Sequence, residues 1–351
     1  MADLVPVGGG LPLVFFFLLY GAVFLYVILD GYDLGVGMLF AATQDADERE
    51  QMIHAIGPFW DANETWLVLG VGILLAAFPV AHGMILGMLY LPVAMMLSGL
   101  MLRGAAFEFR VKAPIRHRRW WDGAFCGASL LAAVSQGVML GRYVTGFSEA
   151  AWAWPFALGV GLALPAGYAL LGAAWLIMKT TGEIRRRAVG WGRRSLRGTA
   201  LGMAAISLAT LMCLPDVAAK WLAMPMPIGL APLPLATLVL IAVLEWSLRC
   251  LSRPPASGEE GEGCPEWLPF FAAVGLFGLG FAGLAYSLFP SLVAGRLDLW
   301  QAAGSPASLR FLLAGVALVL PFIVFYTVYV HWVFRGKLTA GPYQDRSAPL
   351  L

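Results

Sequence analysis

A chain of 351 residues in which 60% are apolar, only 13% are charged and mean hydropathy is +0.78 falls far from the roughly one-quarter charged residues of soluble domains. A monomer of this size cannot hide so much apolar surface in a core surrounded by water, so lipid must face a large part of it. The net charge of +2 gives no electrostatic footprint for nucleic acid, and Cys126, Cys213, Cys250 and Cys264 form no CxxC or Cys/His pair at metal-ligand spacing.

The first apolar run, Gly10 to Phe40, has no basic segment before it and no small-residue cleavage site after it. It reads as a helix of the mature protein and not as a signal peptide. About 20 residues cross the hydrocarbon core of a bilayer. Runs of that length between charged or Pro/Gly breaks predict nine transmembrane helices, at approximately 11–40, 58–79, 83–107, 121–141, 154–178, 198–221, 228–250, 267–289 and 309–334. The weakest breaks are a tight turn from Phe78-Pro79 through His82-Gly83 and the proline-interrupted stretch from Met224 to Pro227. The acidic, Gly/Pro-rich stretch from Arg253 to Glu266 reads as a flexible loop. It is too short for a domain, so residues 1–351 form one all-α, polytopic membrane domain.

Orientation follows from the placement of Lys and Arg in short loops. One set of loops and helix ends holds Arg49, Arg103, Arg110, Lys112, Arg116, Arg118, Arg119, Lys179, Arg185, Arg186, Arg187, Arg193, Arg194, Arg197, Arg249, Arg253, Arg335, Lys337 and Arg346. Of the 23 basic residues only Arg142, Lys220, Arg296 and Arg310 fall in the other set. The asymmetry predicts an N-terminus outside, a C-terminus in the cytoplasm and an odd number of spans.

An ionisable residue inside a span is costly and is a functional hypothesis by default. Asp30 and Asp33, in Leu29-Asp30-Gly31-Tyr32-Asp33-Leu34-Gly35-Val36-Gly37, lie three apart on one face of the first span. Gly31, Gly35 and Gly37 around them permit close helix approach. Asp61 and Glu64, in Trp60-Asp61-Ala62-Asn63-Glu64-Thr65-Trp66, open the second span and again share a face. Glu108 ends the third span, within reach of neutralisation by Arg103 and Arg110. Three segments thus bring carboxylates to one depth on the cytoplasmic side. Buried, mutually repelling carboxylates can load and release protons near neutral pH. The structural reading competes: Asp61 as N-cap with Glu64 at N3 fits a capping box, and the two roles are compatible.

His54, His82, His117 and His331 form no pair on one helix at haem- or zinc-binding spacing, so no haem and no metal is expected, and most of them read as solvated or interfacial. The 14 methionines fall on several helix faces and read as packing residues. Trp120, Trp121, Trp152, Trp154, Trp221 and Trp267 lie near span ends, as in an interfacial aromatic belt.

The blocks Asp30 to Gly37, Phe59-Trp60-Asp61-Ala62-Asn63-Glu64-Thr65-Trp66-Leu67 and Arg103-Gly104-Ala105-Ala106-Phe107-Glu108-Phe109-Arg110 resemble subunit II of cytochrome bd-type and cyanide-insensitive quinol oxidases. Tyr286 to Pro290 is similar too. The resemblance implies a bacterial inner-membrane heterodimer in which subunit I carries the haems and the quinol site. This chain would be its haem-free partner, stabilising subunit I and contributing cytoplasmic proton uptake for reduction of dioxygen to water. It further implies a proton pathway containing Asp61, with Asp30 similar by motif position; Asp33, Glu64 and Glu108 join it as candidates and Trp60, Asn63 and Arg103 as supporting residues. A structural quinone and small single-helix accessory subunits stay open. The alternative is a proton- or cation-coupled secondary transporter using the same carboxylates. Internal repeats and broken helices at the midplane, which mark many transporters, are not evident, and the acids sit toward one end.

Overall fold

The computed structural model describes residues 10–222, 230–253 and 264–338. The break predicted at Met224 to Pro227, most of the acidic loop, Arg346 and both chain ends lie outside the described residues. Eight helices are long and apolar enough to cross a bilayer: α1 (Leu11–Leu39), α5 (Tyr90–Lys112), α6 (Ile115–Val144), α7 (Ala153–Lys179), α8 (Gly182–Cys213), α10 (Pro232–Leu251), α11 (Leu268–Leu288) and α13 (Pro306–Val333). The helix α3 (Trp60–Ala77) is less apolar because Asp61, Asn63 and Glu64 occupy its start. At 18 residues it is nonetheless about 27 Å long, near the thickness of the hydrocarbon core. Its far end, Ile73, Ala77 and Phe78, packs with Phe15 and Phe16 from the start of α1. It therefore runs the length of the bundle as the ninth span among the described residues.

Successive spans alternate in direction, as contacts at the two ends show. At one end Trp175 Nε1 donates to the Ala55 carbonyl at 2.9 Å, Arg49 pairs with Asp122 at 2.8 Å and the Leu338 N–H donates to the Lys179 carbonyl at 2.8 Å. At the other, the Gly304 N–H donates to the Ala77 carbonyl at 2.8 Å, Tyr143 Oη to the Leu292 carbonyl at 2.6 Å and Lys220 Nζ to the Ser287 carbonyl at 3.0 Å. The loops rich in Arg and Lys meet at the first of these ends, called the basic end below. The opposite end carries a two-stranded hairpin, β1 (Ser291–Val293) and β2 (Leu297–Asp298), followed by a short helix α12 (Leu299–Ala302) with an Asp298/Gln301 capping box.

Three expectations need correction. The turn after Phe78 is a ten-residue helix, α4 (Pro79–Met88), and the third span begins only at Tyr90. Pro79 suits a first helical position, and Pro92 supplies no N–H for the Met88 carbonyl, so the chain breaks at Leu89. The sixth span is α8, which includes the arginine-rich run and stops before Pro215, where α9 (Pro215–Leu222) starts afresh. Proline disfavours helical geometry in the residue before it, and Leu214 is extended at ψ 84°. Finally, Asp61 caps nothing: Phe59 is the N-cap of α3, and no side chain caps that end. Capping of that kind occurs instead at α2 (Ala46–Ile56), where Asp45 accepts from the N–H groups of Asp47 at 2.9 Å and Glu48 at 3.4 Å.

The glycines of α1 act as the sequence suggests. A Cβ on Gly35 would strike the Tyr168 carbonyl oxygen, and one on Gly172 would lie 2.5 Å from the Gly35 carbonyl carbon. These two positions let α1 and α7 touch backbone to backbone, while Gly37 makes room for the Ser129 side chain of α6. Gly35→Ala is expected to cost about 1–3 kcal/mol through forced backbone displacement and to lower the thermal midpoint of the purified protein. Gly72→Ala, where a Cβ meets nothing within 4 Å, should leave that midpoint unchanged.

Candidate functional site

The close crossing of α1 with α7 buries the face of α1 that carries Asp30 and Asp33, and both carboxyls are lost to solvent (0% and 1% exposed). Bare burial of two carboxylates is prohibitive without partners, and α3 and α5 supply them. Arg103 on α5, 2% exposed, reaches Asp30 with Nη1–Oδ1 at 2.6 Å and Glu64 of α3 through Nη2. The Asp30 contact is close but poorly aligned for a hydrogen bond, so charge attraction holds it. Glu64 is partly exposed and forms the outer edge of the group.

Asp33 is held differently. Asn63 Nδ2 lies 2.8 Å from Asp33 Oδ2, 2.8 Å from Tyr32 Oη and 3.2 Å from the Leu29 carbonyl, so its two hydrogens serve three acceptors. Tyr32 Oη in turn lies 3.2 Å from His331 Nε2 on α13, and His331 Nδ1 lies 2.8 Å from the Thr327 carbonyl. A carbonyl only accepts, so Nδ1 carries the hydrogen. In the neutral ring Nε2 then accepts from Tyr32, and Tyr32 accepts from Asn63. Trp175 stacks on the Tyr32 ring at 4.2 Å and fixes it. The result is a hydrogen-bonded chain linking α13, α1 and α3, in which the Asn63 amide donates outward both to Asp33 and, through Tyr32, toward His331. Two carboxyl groups thus share one guanidinium, with Asp33 beside them on the same helix face, and a narrow cleft lined by Asp33, Arg103, Trp60, Ile56, Phe107 and Phe125 reaches the Asp33 side of the group.

The structure therefore gathers Asp30, Asp33, Asn63, Glu64 and Arg103 into one buried site and leaves two candidates outside it. Asp61 and Glu108 are exposed at the basic end, and neither makes an ion pair among the described residues. The expected neutralisation of Glu108 fails because Arg103 turns to Asp30 and Glu64, while Arg110 pairs with Asp122 at 2.6 Å and Glu50 at 2.7 Å. Trp60 is half-buried, its ring 5.2 Å from that of Phe107 and packed over Gly104.

Sequence reasoning missed several members. His331 is no solvated residue but an end of the Tyr32–Asn63 chain. Asp122 holds both Arg49, at 2.8 Å, and Arg110, tying α2, α5 and α6 together above the site. Its place near the start of a span, by the rule applied to Asp30, was the available signal. Deeper in the bundle, one helical turn before Asp30, Tyr26 Oη accepts from Gln136 Nε2 at 2.8 Å, and Tyr168 Oη donates to Gln136 Oε1 at 2.5 Å. A glutamine and two tyrosines on three helices carry no spacing signal. Cys250 and Cys264, distant in sequence, bring their thiols together, and all four cysteines are free. No group of three or more His, Cys, Asp or Glu able to hold a metal occurs among the described residues.

The sequence profile of the family described as cytochrome bd terminal oxidase subunit II matches residues 11–334. The chain is similar to cytochrome bd ubiquinol oxidase subunit 2 of Bacillus subtilis, 28% identical over 92% of this chain and 96% of the relative. It is also similar to cytochrome bd-I ubiquinol oxidase subunit 2 of Escherichia coli, 27% identical over 90% and 91%. Its fold matches a chain in the structure of bd oxidase from Geobacillus thermodenitrificans with a TM-score of 0.72, covering 92% of this chain and 98% of that one, at 18% identity.

Proposed function

The chain belongs to the cytochrome bd terminal oxidase subunit II family, and from that premise we propose that it is the haem-free, proton-delivering partner of a haem-bearing subunit I. As a member of that family it is a multi-pass protein of the bacterial inner membrane and a subunit of a quinol oxidase. The proposed part is narrower: with the N-terminus outside, the basic end faces the cytoplasm, Asp61 and Glu108 receive protons there, and Glu64, Asp30 and Asp33 carry them inward. The single observation that supports this most is the buried group of three carboxyls around Arg103. A site with more carboxyls than cations has room for a proton, and its partly exposed member, Glu64, shares a helix face with Asp61.

The histidines do not fit haem ligation within this chain. His54 and His117 are exposed, and His82 lies beyond α3 at the opposite end. Both ring nitrogens of His331 are engaged by Tyr32 and Thr327. Nor does the cleft at Asp33 suit a quinone ring, since it is too narrow to admit even a water molecule. The reading therefore places the redox centres in subunit I and gives this chain structural support and proton supply. A cation-coupled transporter gains nothing from the geometry, since the acids cluster near one end of the bundle.

Asp61→Asn tests the entry step. The haem spectrum and content of the assembled oxidase should stay normal, while oxygen reduction slows about five- to tenfold, or ~1–1.4 kcal/mol of barrier. Full assembly with normal turnover sinks the role of Asp61. Reduced assembly with normal turnover per complex would instead make the acids purely structural.

A further inference from the structure

A shallow cavity lies away from the buried acids, where α5 turns into α6 at the basic end. It measures about 390 Å³ and is lined by Phe109, Lys112, Ala113, Pro114, His117, Trp120 and Trp121. We infer that this cavity is a binding site for an anionic phospholipid, with the phosphate held by Lys112 and His117 and an acyl chain laid against Phe109, Trp120 and Trp121. The inference does not depend on how protons move through the subunit.

Positive residues at this end of a membrane protein need no ligand as such, because they set its topology. What distinguishes this turn is the state of its charges. In the other arginine-rich segment four of the six arginines are paired within the described residues, Arg185 with Glu266 at 2.9 Å, Arg186 with Glu183 at 2.8 Å, Arg187 with Glu48 at 3.2 Å and Arg193 with Glu245 at 3.7 Å, and only Arg194 and Arg197 are not. Between Lys112 and Arg119 none of Lys112, Arg116, Arg118 and Arg119 makes an ion pair within the described residues. The two nearest acids do not serve them: Asp122 is taken by Arg49 and Arg110, and Glu108, one turn before Lys112 on the same face, makes no ion pair. The first turn of α6 follows Pro114, an N-cap with no side-chain hydrogen bond, and its free N–H groups add positive potential.

The apolar half of the site is as specific. Trp120 is 78% exposed and Phe109 52%, while the Phe109 and Trp121 rings lie 5.4 Å apart and tilted. A concave basic patch floored by aromatic rings at the level of the lipid headgroups matches a molecule with an anionic head and an apolar tail. A free anion would use only the first half, and a soluble acidic peptide would gain little from rings set at membrane depth.

The experiment uses the intact oxidase in detergent, stripped of lipid and titrated with phosphatidylglycerol carrying brominated acyl chains, which quench nearby tryptophans. The quenching lost on Trp120→Phe/Trp121→Phe is the signal of this site. It should saturate with phosphatidylglycerol at a concentration at least tenfold below that needed for brominated phosphatidylcholine. Lys112→Ala/His117→Ala should erase that preference, with haem content and thermal midpoint unchanged, whereas Arg194→Ala/Arg197→Ala should keep it. Equal affinity for the two lipids, or an unaltered preference in Lys112→Ala/His117→Ala, overturns the assignment. Displacement by millimolar inorganic phosphate would make it a free-anion site, and absence of quenching because another subunit covers Trp120 would make it a protein interface; either result rejects the lipid.

Discussion

Arg103→Ala is expected to abolish accumulation of the assembled oxidase in the membrane. Among the described residues Arg103 is the one cation that touches Asp30 and Glu64, and removing it leaves a fully buried carboxylate without compensation. Breaking a buried pair by deleting one partner costs about 3–5 kcal/mol, a large share of the 5–15 kcal/mol that holds a typical domain folded. The cost comes from charge and not from lost packing, which yields a sharper form of the test. Arg103→Leu combined with Asp30→Asn and Glu64→Gln removes all three charges and should recover assembly, though not activity, since buried ion pairs often exchange for neutral groups at little cost. Haem per milligram of membrane protein and a native gel read both outcomes. Failure of the neutral triple variant to assemble would show that Arg103 acts through its shape and packing.

Asp33→Asn should have the opposite signature: normal assembly and slow turnover. Among the described residues Asp33 touches no guanidinium, and it accepts from Asn63 at 2.8 Å, a bond that an asparagine carbonyl at position 33 accepts equally well. The local structure therefore survives while the titratable group disappears. Removing a positioned proton carrier typically costs 10²–10⁴-fold in rate, and a fall of about a hundredfold, or ~2.7 kcal/mol, is expected here. The effect exceeds that of Asp61→Asn because an exposed entry residue is bypassed by water and by Glu108, whereas a buried carrier on the path has no substitute. Turnover at the normal rate in fully assembled Asp33→Asn would remove Asp33 from the pathway.

Asp30, Asp33, Asn63, Glu64 and Arg103 were legible in sequence because a charge inside an apolar run has a price that demands a partner. Helical spacing then told which charges share a face. The glycines were legible for a related reason, since only a residue without Cβ lets α1 meet α7 at Gly35. Partner choice was not legible. Arg103 and Glu108 are five residues apart on one helix, yet Arg103 reaches across to α1 and α3, and only the packing of three helices decides that. His331 escaped for the same reason: it lies 299 residues from Tyr32, and a single histidine near a helix end looks interfacial until α13 is set against α1. The capping reading of Asp61 failed because the helix begins two residues too early for it, a shift no local pattern betrays when a tryptophan and a phenylalanine precede it. The breaks at Leu89 and Leu214 were not legible, because the apolar run around Pro92 and Pro215 hid that short helices, α4 and α9, adjoin them.

On the function proposed above, protons for dioxygen reduction enter from the basic end and pass through the buried carboxyls of this chain. The direct measurement is proton uptake during a single turnover of the fully reduced oxidase in liposomes, followed with a pH-sensitive dye confined to the side that the basic loops face. The account predicts that wild-type protein takes protons from that side as oxygen is reduced. In Asp33→Asn, uptake and the oxygen-reduction step should slow together by about a hundredfold while oxygen binding stays fast. Uptake from the opposite side, or uptake at the wild-type rate in Asp33→Asn, would contradict it.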